Sequence, residues 1–125
     1  MSMKKFLPSI MVLISLFSAQ PCVFASDNYD GCKHMMAKLA IDYEIDTLGD
    51  RVNARKGIYT PVKDPIKRAE RYLYSFYDGR KDTIDKKWPG LYQFSVLEAV
   101  DALDKKMEPE DFRIKATLNC IRTFP

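Results

Sequence analysis

The sequence predicts an all-α fold, a small four-helix-bundle-like domain stapled by one disulfide. Three observations carry that prediction. Apolar residues recur at helical spacing through most of residues 29–107. Turn and cap signals at Asp64-Pro65, Gly79 and Trp88-Pro89-Gly90 cut this stretch into separate helices. Two cysteines, Cys32 and Cys120, stand near its two ends.

Residues 1–25 read as a cleaved secretory signal peptide. Lys4 and Lys5 make a positive start, and Ile10 to Phe17 is an apolar run well short of the ~20 residues that span a bilayer. Val23 and Ala25 supply small residues at the −3 and −1 positions, so cleavage is expected before Ser26. A retained anchor fits this length and these flanks poorly. Lipidation at Cys22 is disfavoured by Pro21 immediately before it. The mature chain, 26–125, is then a single domain, exported to the periplasm and not membrane-bound.

Export changes how the cysteines read. Losing Cys22 leaves an even pair, which an oxidising compartment joins. A bridge from Cys32 to Cys120 closes nearly the whole mature chain, worth ~4–5 kcal/mol in the chain-entropy account. The competing reading is catalysis or metal binding. Cys32 and His34 are two residues apart, about 200° around a helix, so they form no dyad. His34 is the only histidine, and no metal or cofactor site is expected.

The elements follow in order. From Tyr29 to Val52, Cys32, Met36, Leu39 and Tyr43 mark one helix face, while Ile41, Ile45, Leu48 and Val52 mark the opposite one. Two opposed apolar stripes predict a central helix covered on both sides, with a bend near Gly49 and Asp30 as an N-cap. It should end between Asp50 and Gly57, where Arg51, Arg55 and Lys56 suit a C-terminus. Lys56 to Lys63 is a loop kept extended by Pro61 and Pro65, with a short strand over Ile58–Val62 as the alternative. Asp64-Pro65 starts a second helix as N-cap and first position, with Ile66, Ala69, Leu73, Phe76 and Tyr77 inward and Lys67, Arg71 and Tyr74 outward. Asp82 to Lys87 adds one helical turn within the Gly79–Gly90 loop. A third long helix begins near Leu91, with Tyr92, Val96, Val100, Leu103 and Met107 inward and Glu98, Asp101 and Asp104 outside. The last segment carries two signals. Pro109 with Glu108, Glu110 and Asp111 starts a helix, yet Phe112, Ile114, Ala116, Leu118 and Cys120 alternate as a strand would. The start signals favour helix, and strand stays open.

Composition excludes more functions than it suggests. The whole chain carries 20 basic and 17 acidic residues, and losing Lys4 and Lys5 leaves the mature chain near neutral. Residues 51–87 hold eleven basic and five acidic side chains, but Glu70, Asp78, Asp82 and Asp85 interrupt the run. That is a solvated surface rather than a nucleic-acid patch. No nucleophile elbow, phosphate loop or zinc motif occurs, and the paired carboxylates Asp42/Asp46 and Asp101/Asp104 lack a dry pocket. The chain is not expected to be an enzyme. A rigid domain that occludes a protein partner fits best, because rigid surfaces lose little entropy on docking. Expected partner contacts are Trp88, Tyr74, Lys86, Lys87 and Tyr59, with the Gly79–Gly90 connection ranked before Lys56–Asp64. The alternative for Trp88 is packing on the core.

The leader, Gly31-Cys32-Lys33-His34-Met35-Met36, the Tyr-rich helix Glu70 to Tyr77, and Leu118-Asn119-Cys120-Ile121 together resemble the periplasmic immunity proteins of type VI secretion peptidoglycan amidases. The resemblance is one of layout over most of the mature chain and implies an all-helical, often homodimeric protein. It further implies that a protruding loop plugs the active site of a toxin amidase. The layout also resembles small acid-stress chaperones of the periplasm, although the single His34 gives an acid switch little to act on.

Overall fold

The computed structural model describes residues 2–124, with side chains from Tyr29 onward. Five helices follow in order: α1 (Ser2–Arg55), α2 (Pro65–Tyr77), α3 (Lys81–Lys87), α4 (Leu91–Lys105) and α5 (Pro109–Thr123). No strand occurs among the described residues, so Ile58–Val62 is a loop and the last segment is a helix. The expected signal peptide, its cleavage site and Cys22 precede Tyr29 and lie outside the described side chains. No helix among the described residues is long and apolar enough to cross a membrane.

The core lies between two helix pairs, α1 with α5 and α2 with α4. Along α1 the residues Cys32, Met36, Leu39 and Tyr43 are buried, and Phe112, Ala116 and Cys120 meet them from α5. Cys32 and Cys120 are disulfide-bonded, with their Cα atoms 5.8 Å apart and a sequence separation of 88. Beyond Tyr43 the buried stripe of α1 turns polar. Thr47 donates back to the Tyr43 carbonyl at 2.6 Å. Arg51 Nε donates to Thr47 Oγ1 at 3.1 Å, and its other nitrogens reach Glu108 and the Glu44 carbonyl. Every group buried there has a partner, which is the condition for burying charge at tolerable cost. The α1–α5 pair is thus held covalently by Cys32–Cys120 and ionically by Arg51–Glu108, and the order of these contacts makes the helices antiparallel.

Several expectations are corrected. The second stripe of α1 is not covered: Ile41, Ile45 and Leu48 are 54%, 74% and 55% exposed, because the other helices lie on one side of α1. Ile66 is also exposed; it stands in the first turn of α2, on the face that Ala69, Leu73 and Phe76 bury further along. Asp30 lies inside α1, and α1 continues through Gly49. Asp64 precedes α2 as expected but makes no side-chain cap; its backbone is left-handed, at φ 47°. Glu98 and Asp101 are half-buried because α5 reaches them, through Asn119 and Lys115 respectively.

The disulfide generates the first prediction. Replacing Cys32 or Cys120 by Ser should cost about 4–5 kcal/mol in the chain-entropy account, measured by denaturant unfolding. Two free thiols titratable in the untreated native protein would contradict it.

Candidate functional site

The longest irregular connection among the described side chains is Lys56–Asp64, between α1 and α2. Its entry is set by Gly57, at φ 76°, where α1 ends with Gly57 N–H donating to the Ala54 carbonyl and Ile58 N–H to the Asn53 carbonyl. That crossed pair is the Schellman arrangement, which favours glycine at the left-handed position. Helix α4 ends in the same way, with Lys106 N–H on the Leu103 carbonyl and Met107 N–H on the Ala102 carbonyl. There the left-handed residue is Lys106, at φ 51°. A lysine in this conformation costs roughly 1–2 kcal/mol.

The side chain of that lysine explains its placement. Lys106 Nζ donates to the Thr60 carbonyl at 2.6 Å and to Thr60 Oγ1 at 3.0 Å, tying the middle of the loop to the end of α4. The same ammonium lies 5.7 Å from the centre of the Tyr59 ring. Lys106 and Asp64, the two non-glycine residues with left-handed backbones among those described, thus tie and terminate one loop. Pro61 and Pro65 stiffen it further. Tyr59 stands on it 81% exposed, the highest value among the large apolar side chains. Strain held by surrounding structure and gathered on one surface loop is a feature of binding sites.

Two grooves flank the loop. One, of about 580 Å³, runs against α4 and is lined by Tyr59, Val62, Leu97, Val100, Asp101 and Asp104. The other, of about 520 Å³, runs against α1 and α2 and is charged. In it Arg68 donates to Asp46 at 2.8 Å and to Asp50 at 3.0 Å, and the Tyr72 hydroxyl donates to Asp46. Burial alone would raise the Asp46 carboxyl, but Tyr72 and Arg68 outweigh it and hold the carboxyl below the ordinary carboxylate range. Burial and the Asp46 carboxylate push the Tyr72 phenol up. Glu108 is held low first by the hydrogen bond from Arg55, and Asp101 by that from Lys115. These are paired structural groups rather than poised acids or bases.

The expected contact residues occupy three elements. Tyr59 is on the loop, Tyr74 is exposed on the outer face of α2, and Lys86 and Lys87 are exposed on α3. Trp88 follows α3 and is half-buried. Its indole packs against Gly31, where an added Cβ would fall 2.7 Å from Cζ2, and Lys87 Nζ sits 4.7 Å over the ring. The Gly79–Gly90 connection is therefore largely helix with its tryptophan turned inward, while Lys56–Asp64 is the open loop. Lys106 escaped sequence reading, since only the helix start at Pro109 is visible there. No group of His, Cys, Asp and Glu able to hold a metal occurs among the described residues.

Fold and site together define a small all-helical, disulfide-closed domain presenting one pinned loop. Comparison with protein families, with curated proteins and with solved structures finds no match.

Two predictions follow from this chemistry. Lys106→Gly should relieve the backbone and lose two hydrogen bonds of ~1 kcal/mol each, leaving stability within about 1 kcal/mol of the parent. The freed loop should then be cut by trypsin at Lys56 and Lys63 several-fold faster; an unchanged rate would show that the tether holds nothing. The second concerns pH. Asp46, Asp101 and Glu108 bind a proton less readily folded than unfolded. Their stabilisation is complete above the ordinary carboxylate pKa of about 4 and is lost as pH falls through the lowered folded values. Tm should stay flat from pH 7 to about 5 and drop below about 4. Asp46→Asn should lower Tm at neutral pH and flatten the acid slope; a Tm that rises on acidification would contradict this.

Proposed function

We propose that this protein is an exported periplasmic binding protein that neutralises a cell-wall-directed amidase by seating a rigid loop over the enzyme's active site. It acts by binding and not by catalysis. That is the role implied by its resemblance in layout to the immunity proteins of type VI secretion amidases. The observation that carries the proposal is the Lys56–Asp64 loop, braced by Lys106 and two prolines and carrying an outward Tyr59. A stiff loop has little conformational entropy left to lose on docking, and tyrosine is among the side chains most often responsible for binding energy. Tyr59 therefore takes the role of central anchor in preference to Trp88, whose indole packs on α1.

A second reading, a periplasmic stress chaperone, draws support from the uncovered Ile41, Ile45 and Leu48 on α1. Such a surface would hold unfolding clients. The two readings separate in one set of assays. Inhibition of peptidoglycan cleavage by a type VI secretion amidase, at neutral pH and near equimolar ratio, is expected of an immunity protein. Suppression of aggregation of several unrelated clients near pH 3, with no such inhibition, would favour the chaperone.

Tyr59→Ala should weaken partner binding by about 2 kcal/mol or more with an unchanged Tm. Trp88→Ala should do the reverse, lowering Tm while the folded fraction still binds. Calorimetric titration and thermal unfolding of both variants check this, and equal loss of binding from each would remove Tyr59 from the central position.

A further inference from the structure

We infer, taking the Lys56–Asp64 loop as the binding face proposed above, that the groove between this loop and α4 holds an extended segment of the protein partner. That segment carries a large apolar side chain two or three positions from a lysine or arginine. The groove measures about 580 Å³, within the range of clefts that hold ligands. Two of its lining side chains, Val62 and Val100, pack partly buried against the core, so its base is fixed. Tyr59 rises from the loop and Leu97 from α4, and both are exposed, at 81% and 58%. These four make one shared apolar lining, which marks a binding groove where scattered exposed side chains would not.

The charge of the occupant follows from the end of α4. Leu97, Asp101 and Asp104 stand at i, i+4 and i+7 and share one face of the helix. Asp101 and Asp104 fall in its last two turns, near the negative end of the helix dipole, where an acidic side chain is unfavourable. Asp101 is compensated by Lys105, at 3.1 Å, and by Lys115 of α5. Asp104 also lines the groove; it is exposed, and its carboxylate makes no ion pair among the described residues. The cation in the lining, Lys106, is held by the carbonyl and the hydroxyl of Thr60. Its ammonium is committed to the loop, which leaves Asp104 as the uncompensated charge.

A carboxylate set against the dipole and left unpaired costs the fold a little and attracts a cation from a partner. The spacing of that cation is fixed by the helix. Leu97 and Asp104 are separated by about 10 Å along α4, at ~1.5 Å per residue. An extended chain covers that distance in about three residues of ~3.3 Å each, and the reach of a lysine or arginine side chain allows two. The apolar side chain then lies against Leu97, Val62 and Val100 while the cation meets Asp104.

Amide NMR titration of the disulfide-intact protein with the capped pentapeptide Leu-Leu-Ser-Arg-Arg tests the groove. Amides of Tyr59, Val62, Leu97 and Asp104 should shift, and added salt should weaken the binding. Replacing both arginines of the peptide by glutamate, or both leucines by serine, should weaken it about tenfold. Asp104→Lys should cost a similar factor while Tm holds or rises, because lysine suits the end of a helix. Leu97→Ser should also weaken binding, with Tm unchanged. No shift in the groove, shifts confined to the Ile41–Leu48 face, equal binding of the glutamate peptide, or parental binding by Asp104→Lys overturns the inference. So does line broadening at Leu97 and Tyr59 that grows with protein concentration in the absence of peptide, since a second copy would then fill the groove. Inhibition of a type VI secretion amidase is measured beside it. A protein that binds the peptide but inhibits no such amidase keeps the groove and loses the proposed target. An Asp104→Lys protein that inhibits as the parent does keeps the target and loses the groove.

Discussion

The structure depends first on how Tyr43 is buried. Its ring is fully enclosed, packed 4.8 Å from Phe112 of α5 and edge-on to Tyr72 of α2 at 6.2 Å. Its hydroxyl donates to the carbonyls of Ala102 and Met107, at 3.2 Å and 2.5 Å. One side chain therefore touches α2 and α5 and binds the end of α4 at the position where that helix reverses. Burial raises the phenol's pKa to about 12, so it stays a neutral donor at any physiological pH. Either half of this arrangement alone would be weak. An aromatic without the hydroxyl would leave the Met107 carbonyl without the Tyr43 donor, and a hydroxyl without the ring contacts would have nothing to hold it in place.

The end of α4 that Tyr43 secures is also the base of the exposed loop. Met107 and Lys106 are consecutive: the first accepts from Tyr43, and the second turns left-handed and reaches out to Thr60. The position of a surface loop is thus referred to the centre of the core through two residues. Asp46 makes a similar connection, joining α1 to Arg68 and Tyr72 of α2 beneath the loop's other side. Rigidity at Tyr59 is inherited from the packing below it.

Most of the helix boundaries could be read from the chain, because proline, glycine and acidic first turns act locally. Asp64-Pro65 and Pro109 start helices, and Gly57 and Gly79 follow helix ends. The core stripe of α1 was equally clear. The opposite stripe misled because an apolar side chain gives the same periodic signal whether the chain covers it or not, so Ile41, Ile45 and Leu48 pointed to a layer that the fold lacks. In α5 the residues that suggested a strand, Ile114 and Leu118, are the exposed ones; Phe112, Ala116 and Cys120 form an i, i+4, i+8 helical stripe. The inward turn of Trp88 depends on a gap at Gly31, 57 positions earlier, and no local pattern encodes it. The loop's aromatic was visible, while its brace, Lys106, comes from a distant helix end.

The covalent link has a consequence for damage. Cys32 and Cys120 enclose the Lys56–Asp64 loop and the α3 segment, the two places where backbone is least covered. A protease that cuts once in either place produces a nick rather than a loss. The two pieces stay joined through the buried sulfurs, with their core faces still in register. Such a molecule would migrate as one species until reduced. A chain closed in this way survives an injury that divides an unbridged one.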